Sequence, residues 1–176
     1  MSLIERIDKT IRDVEDFPKK GIVFKDITPI LKNATLSADI VNQLSNNISS
    51  QVTHVAGIES RGFLFGFPTC IQKGISFVLV RKKGKLPYKT VSLEYDLEYG
   101  SAEIEMHIDS VGPGDKVIIH DDLLATGGTA IAAIDLVNMF QNKNIIGAGF
   151  IINLPDLNGD KKLKERGIKI HSLMDF

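Results

Sequence analysis

The run Val117-Ile118-Ile119-His120-Asp121-Asp122-Leu123-Leu124-Ala125-Thr126-Gly127-Gly128-Thr129 opens as an apolar, β-branched segment and closes on paired glycines between hydroxyls. The first part reads as a buried strand ending in two adjacent carboxylates. From Ala130 to Phe140 apolar residues recur at helical spacing. The order is strand, acidic pair, small-residue loop, helix start. Unbonded N–H groups and the positive end of the helix dipole make such a loop an anion cradle. Gly127 and Gly128 permit close backbone approach to a phosphate, and Thr126 and Thr129 add hydroxyl donors. Two acids beside a phosphate would repel it unless they hold something else. Ribose hydroxyls, met directly or through a bound Mg²⁺, fit that role, so the pattern points to a sugar phosphate.

Outward from this run the chain alternates strands and helices. Leu3, Ile4, Ile7, Ile11 and Val14 sit at helical spacing, and Asp16 to Gly21 breaks that pattern. Ile22 to Asp26 is short and extended. Leu36, Ile40, Leu44 and Ile48 mark a second helix, and Val52 to Ile58 a strand. Ser60-Arg61-Gly62 turns into a helix through Cys70 that Gly74 closes, and Ile75 to Val80 is again a strand. Arg81 to Lys89 reads as a basic loop. Thr90 to Tyr95 and Ala102 to Ile108 alternate polar and apolar residues, as a hairpin standing off the main body. Ile145 to Ile152 and Ile168 to Leu173 are further strands, with a loop at Pro155 to Gly159. Alternation of this kind implies parallel pairing through right-handed crossovers, with ligands at the carboxyl ends of the strands. The expected fold class is therefore α/β, one domain over 1–176 with a mostly parallel sheet flanked by helices.

Composition narrows the function classes. A chain of 176 residues with 43% hydrophobic and 24% charged residues has the balance of one globular domain. Its 21 basic against 22 acidic residues leave a net charge of −1, with no global drive toward nucleic acid or an anionic membrane. Cys70 is the lone cysteine, expected as a buried inert thiol, and a soluble, cytoplasmic protein is expected. No zinc-like Cys/His spacing, P-loop string or nucleophile elbow occurs.

Other stretches offer chemistry but leave alternatives open. Arg61, just past a strand end, can grip pyrophosphate with two N–H groups or form a surface ion pair. Arg81, Lys82, Lys83 and Lys85 concentrate charge where a pyrophosphate would lie, although such runs are often solvated; Arg81 and Lys85 are the favoured contacts. Val23, Phe24 and Lys25 form a surface the size of a base, with Phe24 either stacking on a purine or filling a core. His54 and His120, inside strand patterns, read as core or supporting residues.

The string from Asp121 to Thr129 resembles the 5-phosphoribosyl 1-pyrophosphate (PRPP) signature of the type I phosphoribosyltransferases, in the form typical of those acting on adenine. Gly21 to Pro29, Glu59 to Gly66, Arg81 to Pro87 and Leu97-Glu98-Tyr99-Gly100 match the same family, so the resemblance spans nearly the whole chain. It implies a five-stranded core, a small N-terminal hood over about 1–34 and a flexible β-hairpin lid over about 84–102. It implies transfer of phosphoribose from PRPP to adenine, giving AMP and pyrophosphate, with Mg²⁺ carried by PRPP rather than by direct protein ligands, in a homodimer. An oxopurine substrate, or a PRPP sensor without turnover, are the alternatives.

The resemblance also implies roles. Asp121, Asp122 and Ala125 to Thr129 hold the ribose phosphate. Ser60, Arg61, Arg81, Lys85 and Tyr99 complete PRPP and AMP binding, with a Glu59–Ser60 peptide that is often cis. Val23, Phe24 and Lys25 face adenine, though the family commonly has arginine where Lys25 stands. Glu98, from the residues alone an exposed turn carboxylate, becomes the general acid/base.

Overall fold

The computed structural model describes residues 1–96, 100–140 and 145–176. Ser2 opens α1 (Leu3–Thr10) with a capping box: its hydroxyl accepts from the Glu5 N–H, and the Glu5 carboxylate accepts from the Ser2 N–H. Helical spacing groups Val14 with Ile7 and Ile11. Val14 instead lies in β1 (Arg12–Glu15), opposite Phe24 of β2 (Val23–Asp26). A cross-strand partner outweighs local periodicity there.

These two strands form a sheet of their own, pinned by ion pairs at neighbouring register positions. Arg12 meets Asp26 at 2.6 Å and Lys25 meets Asp13 at 2.7 Å. Burial works to raise the Asp26 pKa, but the Arg12 guanidinium and the Thr28 N–H and hydroxyl overcome it and hold the carboxyl at about 2. A depressed carboxyl stabilises the fold above its unfolded pKa and loses that contribution as pH falls toward its folded one. Unfolding free energy should therefore drop between about pH 4 and pH 2. Asp26→Asn should flatten that slope and cost on the order of 1 kcal/mol at pH 7, since Arg12 is well solvated. Chemical denaturation across this pH range measures both.

Asn33 caps α2 (Ala34–Asn47) through its side-chain oxygen, 3.0 Å from the Leu36 N–H. Then follow β3 (His54–Ile58), α3 (Arg61–Lys73), β4 (Ser76–Lys82), β5 (Thr90–Asp96) and β6 (Ser101–His107). Gly74, at φ +73°, closes α3 with the left-handed turn that its lack of Cβ allows. The chain continues through β7 (Val117–Leu124), α4 (Gly128–Asn138), β8 (Ile145–Asn153), α5 (Gly159–Glu165) and β9 (Ile170–Asp175).

The main sheet has seven strands in the order β5-β6-β4-β3-β7-β8-β9, where five were expected. Those from β4 to β9 in that order are five parallel strands, and the antiparallel β5–β6 hairpin adds two more at the β4 edge. The hairpin does not stand off the body. Its Val91, Leu93, Tyr95, Ile104 and Met106 pack in the core cluster that α4 covers with Ile134, Leu136 and Val137. The other face carries α1, α2 and Phe65 of α3 against Ile151 and Ile152, with Leu173 and Phe176 alongside. The fully buried ones among them, such as Phe65, Met106, Leu136 and Ile151, contribute about 1.5–3 kcal/mol each.

Three boundaries also differ from the sequence reading. β7 runs through the acidic pair to Leu124, Arg81 and Lys82 belong to β4 rather than to a loop, and Gly159–Glu165 is helical. Cys70 is buried as expected, and burial pushes its thiol up to about 12, so it stays protonated.

Candidate functional site

Parallel pairing delivers the ends of β3, β4 and β7 to one edge, with Ile58 beside Val80 and Gly57 beside His120. Arg81 late in β4 and the Asp121–Asp122 pair late in β7 lie toward that edge. At the end of β7 the chain enters α4 through Gly127, at φ +81°. Among the described residues no side chain caps this helix start, which leaves its first N–H groups open to an outside acceptor. Thr126, Gly128 and Thr129 are only partly buried around it. The loop shape is fixed from behind. Gly159 packs so closely that a Cβ there would overlap the Ala125 carbonyl oxygen and lie 2.9 Å from the Gly127 nitrogen. Lys162 adds a hydrogen bond of 3.1 Å from its ammonium to the Thr126 carbonyl.

This arrangement separates support from contact. Gly159→Ala should cost about 1–3 kcal/mol by forcing two backbone segments apart. Gly128→Ala meets open space in the structure and should unfold like wild type, while its methyl group would crowd any anion held at the helix start. Denaturant unfolding beside a phosphate or PRPP titration of both variants distinguishes the two effects.

The acidic pair sits under opposing forces. Asp122 is buried to 1% exposure, and its Oδ2 lies 3.2 Å from Arg61 Nε with no hydrogen-bond partner among the described residues. Burial raises the pKa of both acids, and for Asp121 the neighbouring Asp122 charge adds to the rise, so its carboxyl stands well above the usual range. Arg61 pulls both back toward ionisation. The same guanidinium lies 5.0 Å from the centroid of the Phe24 ring, which Phe17 meets edge-on at 5.1 Å. Arg61 thus links the acids to the N-terminal hairpin. Gly62, next to it, needs its missing Cβ: one there would lie 2.9 Å from the His120 carbonyl oxygen.

The peptide between Glu59 and Ser60 is cis. Glu59, which the sequence reading did not single out, accepts from Arg81 Nε and from the Lys82 backbone N–H, each at 3.0 Å. Arg81 also donates to the Lys85 carbonyl at 3.0 Å. Glu105 of β6, only 3% exposed, accepts the backbone N–H groups of Lys85 and Leu86 at 2.9 Å each. The basic segment is therefore folded around two carboxylates, and the Lys85 side chain is left at the exposed surface. Tyr95 of the hairpin reaches the start of α4, its hydroxyl 3.3 Å from that of Thr129.

Val23 is half exposed, and the Lys25 ammonium is turned to Asp13 and lies 4.3 Å over the Phe176 ring. Glu98 and Tyr99 lie outside the described residues. The chain near Gly159 and Lys162 carried no motif that would have flagged its role. Glu59 stood beside the noticed Arg61, but its partner, Arg81, is remote in sequence.

Known proteins resemble the chain over nearly its whole length. The phosphoribosyl transferase domain family matches residues 25–172. The chain is 46% identical over 174 residues, 98% of its length, to an adenine phosphoribosyltransferase of Yersinia pestis, 92% of which is covered. The structure superposes on an adenine phosphoribosyltransferase of Thermoanaerobacter pseudethanolicus with a TM-score of 0.93 at 45% identity, covering 99% of this chain and 100% of the other. A Giardia lamblia relative, solved with 9-deazaadenine, gives a TM-score of 0.92 at 34% identity, covering 100% and 98%.

Proposed function

The chain belongs to the phosphoribosyl transferase family, and from that premise we propose that it transfers 5-phosphoribose from PRPP to adenine, forming AMP and pyrophosphate. One observation supports this reading above the others. An uncapped helix start, a buried acidic pair and a guanidinium shared with an aromatic ring meet at one sheet edge.

In this reading residues 125–129 bind the 5′-phosphate, and Asp121 and Asp122 take the ribose hydroxyls. Arg61 leaves Asp122 for the pyrophosphate, joined by Ser60, Arg81, Lys85 and Tyr99. Val23, Phe24 and Lys25 line the base. The bond from C1′ to the pyrophosphate oxygen breaks as that from N9 to C1′ forms, and Glu98 manages the purine proton near N7. Positioning and charge compensation supply most of the rate.

The carboxylates suit a Mg²⁺ that arrives on PRPP. Two acids with raised pKa, one with an unpartnered buried oxygen, are too few for a protein cage but enough to anchor hydroxyls or waters around a substrate-borne ion. When bound, that ion neutralises charge on the leaving pyrophosphate.

The segment at about 84–102 acts as a lid over the substrates, although its stem is fixed by the α4 core. The working form is a cytoplasmic homodimer. Leu64, Phe67 and Ile71 expose 43%, 53% and 67% of their surface along one side of α3, an apolar strip suited to a second copy.

AMP formation from adenine and PRPP, run beside hypoxanthine and guanine, tests the activity. Faster turnover of an oxopurine would reassign the base. PRPP binding without turnover of any base would leave a sensor.

A further inference from the structure

β6 is engaged on both faces. Ile104 and Met106 enter the core that α4 covers, and the residues alternating with them meet the segment 83–88. The Lys83 ammonium lies 2.6 Å from Glu103, and the Tyr88 nitrogen lies 3.4 Å from His107 Nε2. Between these contacts, one oxygen of Glu105 accepts the N–H groups of Lys85 and Leu86 together. Glu105 stands opposite Arg81 in the β4–β6 register, and Arg81 donates to the Lys85 carbonyl. Two facing side chains thus grip residue 85 by its N–H and by its C=O. Arg81 is itself braced by Glu59 at 3.0 Å. The main chain of Lys85 is tied at both ends, while its side chain is exposed.

A carboxylate as buried as Glu105 is costly unless its charge is met, and a well-packed apolar residue would serve stability as well. Burial works to raise its pKa, but the N–H groups of Leu86, Gly84 and Lys85 and the Thr90 hydroxyl overcome it and hold the carboxyl below its usual value. The charge therefore orders one short run of main chain. Order already present in the free protein is order that a ligand does not have to impose.

We propose that Glu105 is a positioning residue for pyrophosphate: with Arg81 it fixes the backbone of Lys85, so that the Lys85 ammonium is aimed at the leaving group before PRPP arrives. The proposal rests on the reading of Lys85 as a pyrophosphate contact.

Calorimetric titration with PRPP in Mg²⁺ and with AMP tests this, because AMP lacks the pyrophosphate. Glu105→Asp keeps the charge and withdraws the oxygen, whereas Glu105→Gln keeps an oxygen within reach and removes the charge. The Asp variant should bind PRPP about five- to tenfold more weakly and AMP within about twofold of wild type. The Gln variant should stay within about twofold for both. Lys85→Met should lose at least as much PRPP affinity as the Asp variant, and adding Glu105→Asp to it should cost nothing further. In the unliganded wild type the Lys85 and Leu86 amides should exchange slowly with solvent hydrogen. Normal PRPP binding by the Asp variant, equal losses in Asp and Gln, an AMP loss matching that for PRPP, additive losses in the double variant, or fast exchange of the two amides would each overturn the proposal. Normal PRPP binding by Lys85→Met would overturn the reading of Lys85 itself, through a variant that leaves Glu105 intact.

Discussion

Glu98→Gln is expected to lower kcat by about 10²–10⁴-fold, the usual contribution of a positioned general acid–base group. The assignment rests on the Leu97-Glu98-Tyr99-Gly100 string and on its place between Asp96 and Ser101, which end and begin paired strands. An exposed turn carboxylate exchanged for its amide would be silent, so the size of the effect decides the role. PRPP affinity should stay near wild type, because in the proposed reading every phosphate and pyrophosphate contact except Tyr99 comes from other elements. Single-turnover measurement is the proper readout, since lid opening can limit kcat in the steady state. A wild-type single-turnover rate would remove Glu98 from the chemistry and shift base handling to the region of Lys25. A loss seen mainly in KM for adenine would make it a positioning group.

The second large effect concerns the acidic pair. Asp121→Asn with Asp122→Asn should weaken PRPP binding by one to two orders of magnitude, about 1.4–2.7 kcal/mol. The same change should raise the melting temperature of the unliganded protein at pH 7. A carboxyl whose folded pKa lies above its unfolded value loses stability as pH rises through the unfolded value, near 3.8, because ionisation is harder in the fold. Wild type should therefore lose ground to the double variant between pH 4 and pH 7. Arg61 forfeits its partner but is one-third exposed and can turn to water. Normal PRPP affinity would refute the ribose assignment, and a lower melting temperature at pH 7 would refute the electrostatic account.

Much of this architecture was legible in residue pattern, and the exceptions share a cause. The Val117 strand, its acidic pair and the glycine loop are local features: β-branching, charge and missing Cβ atoms act where they stand. Val14 was misread because its spacing fits a helix while its partner, Phe24, comes from another segment. α5 offered only Leu163 as a fully buried apolar residue among lysines, and it is placed by Gly159 against the Ala125 carbonyl. The hairpin showed its alternation, but α4, which covers it, lies across a turn and a strand. In the site, residue types at the sheet edge were readable. Their mutual engagement was not, because Glu59 with Arg81 and Arg61 with Phe24 are tertiary pairings.

The support beneath Phe24 and Lys25 joins segments far apart in the sequence. Leu173 and Phe176 share a packed cluster with Leu3, Ile7 and Ile11, and the Lys25 ammonium lies over the Phe176 ring. The Gly127 loop rests instead on Gly159 and Lys162. In the proposed reading, holding the anion and choosing the base are therefore underpinned by separate contacts, so each can be altered without the other.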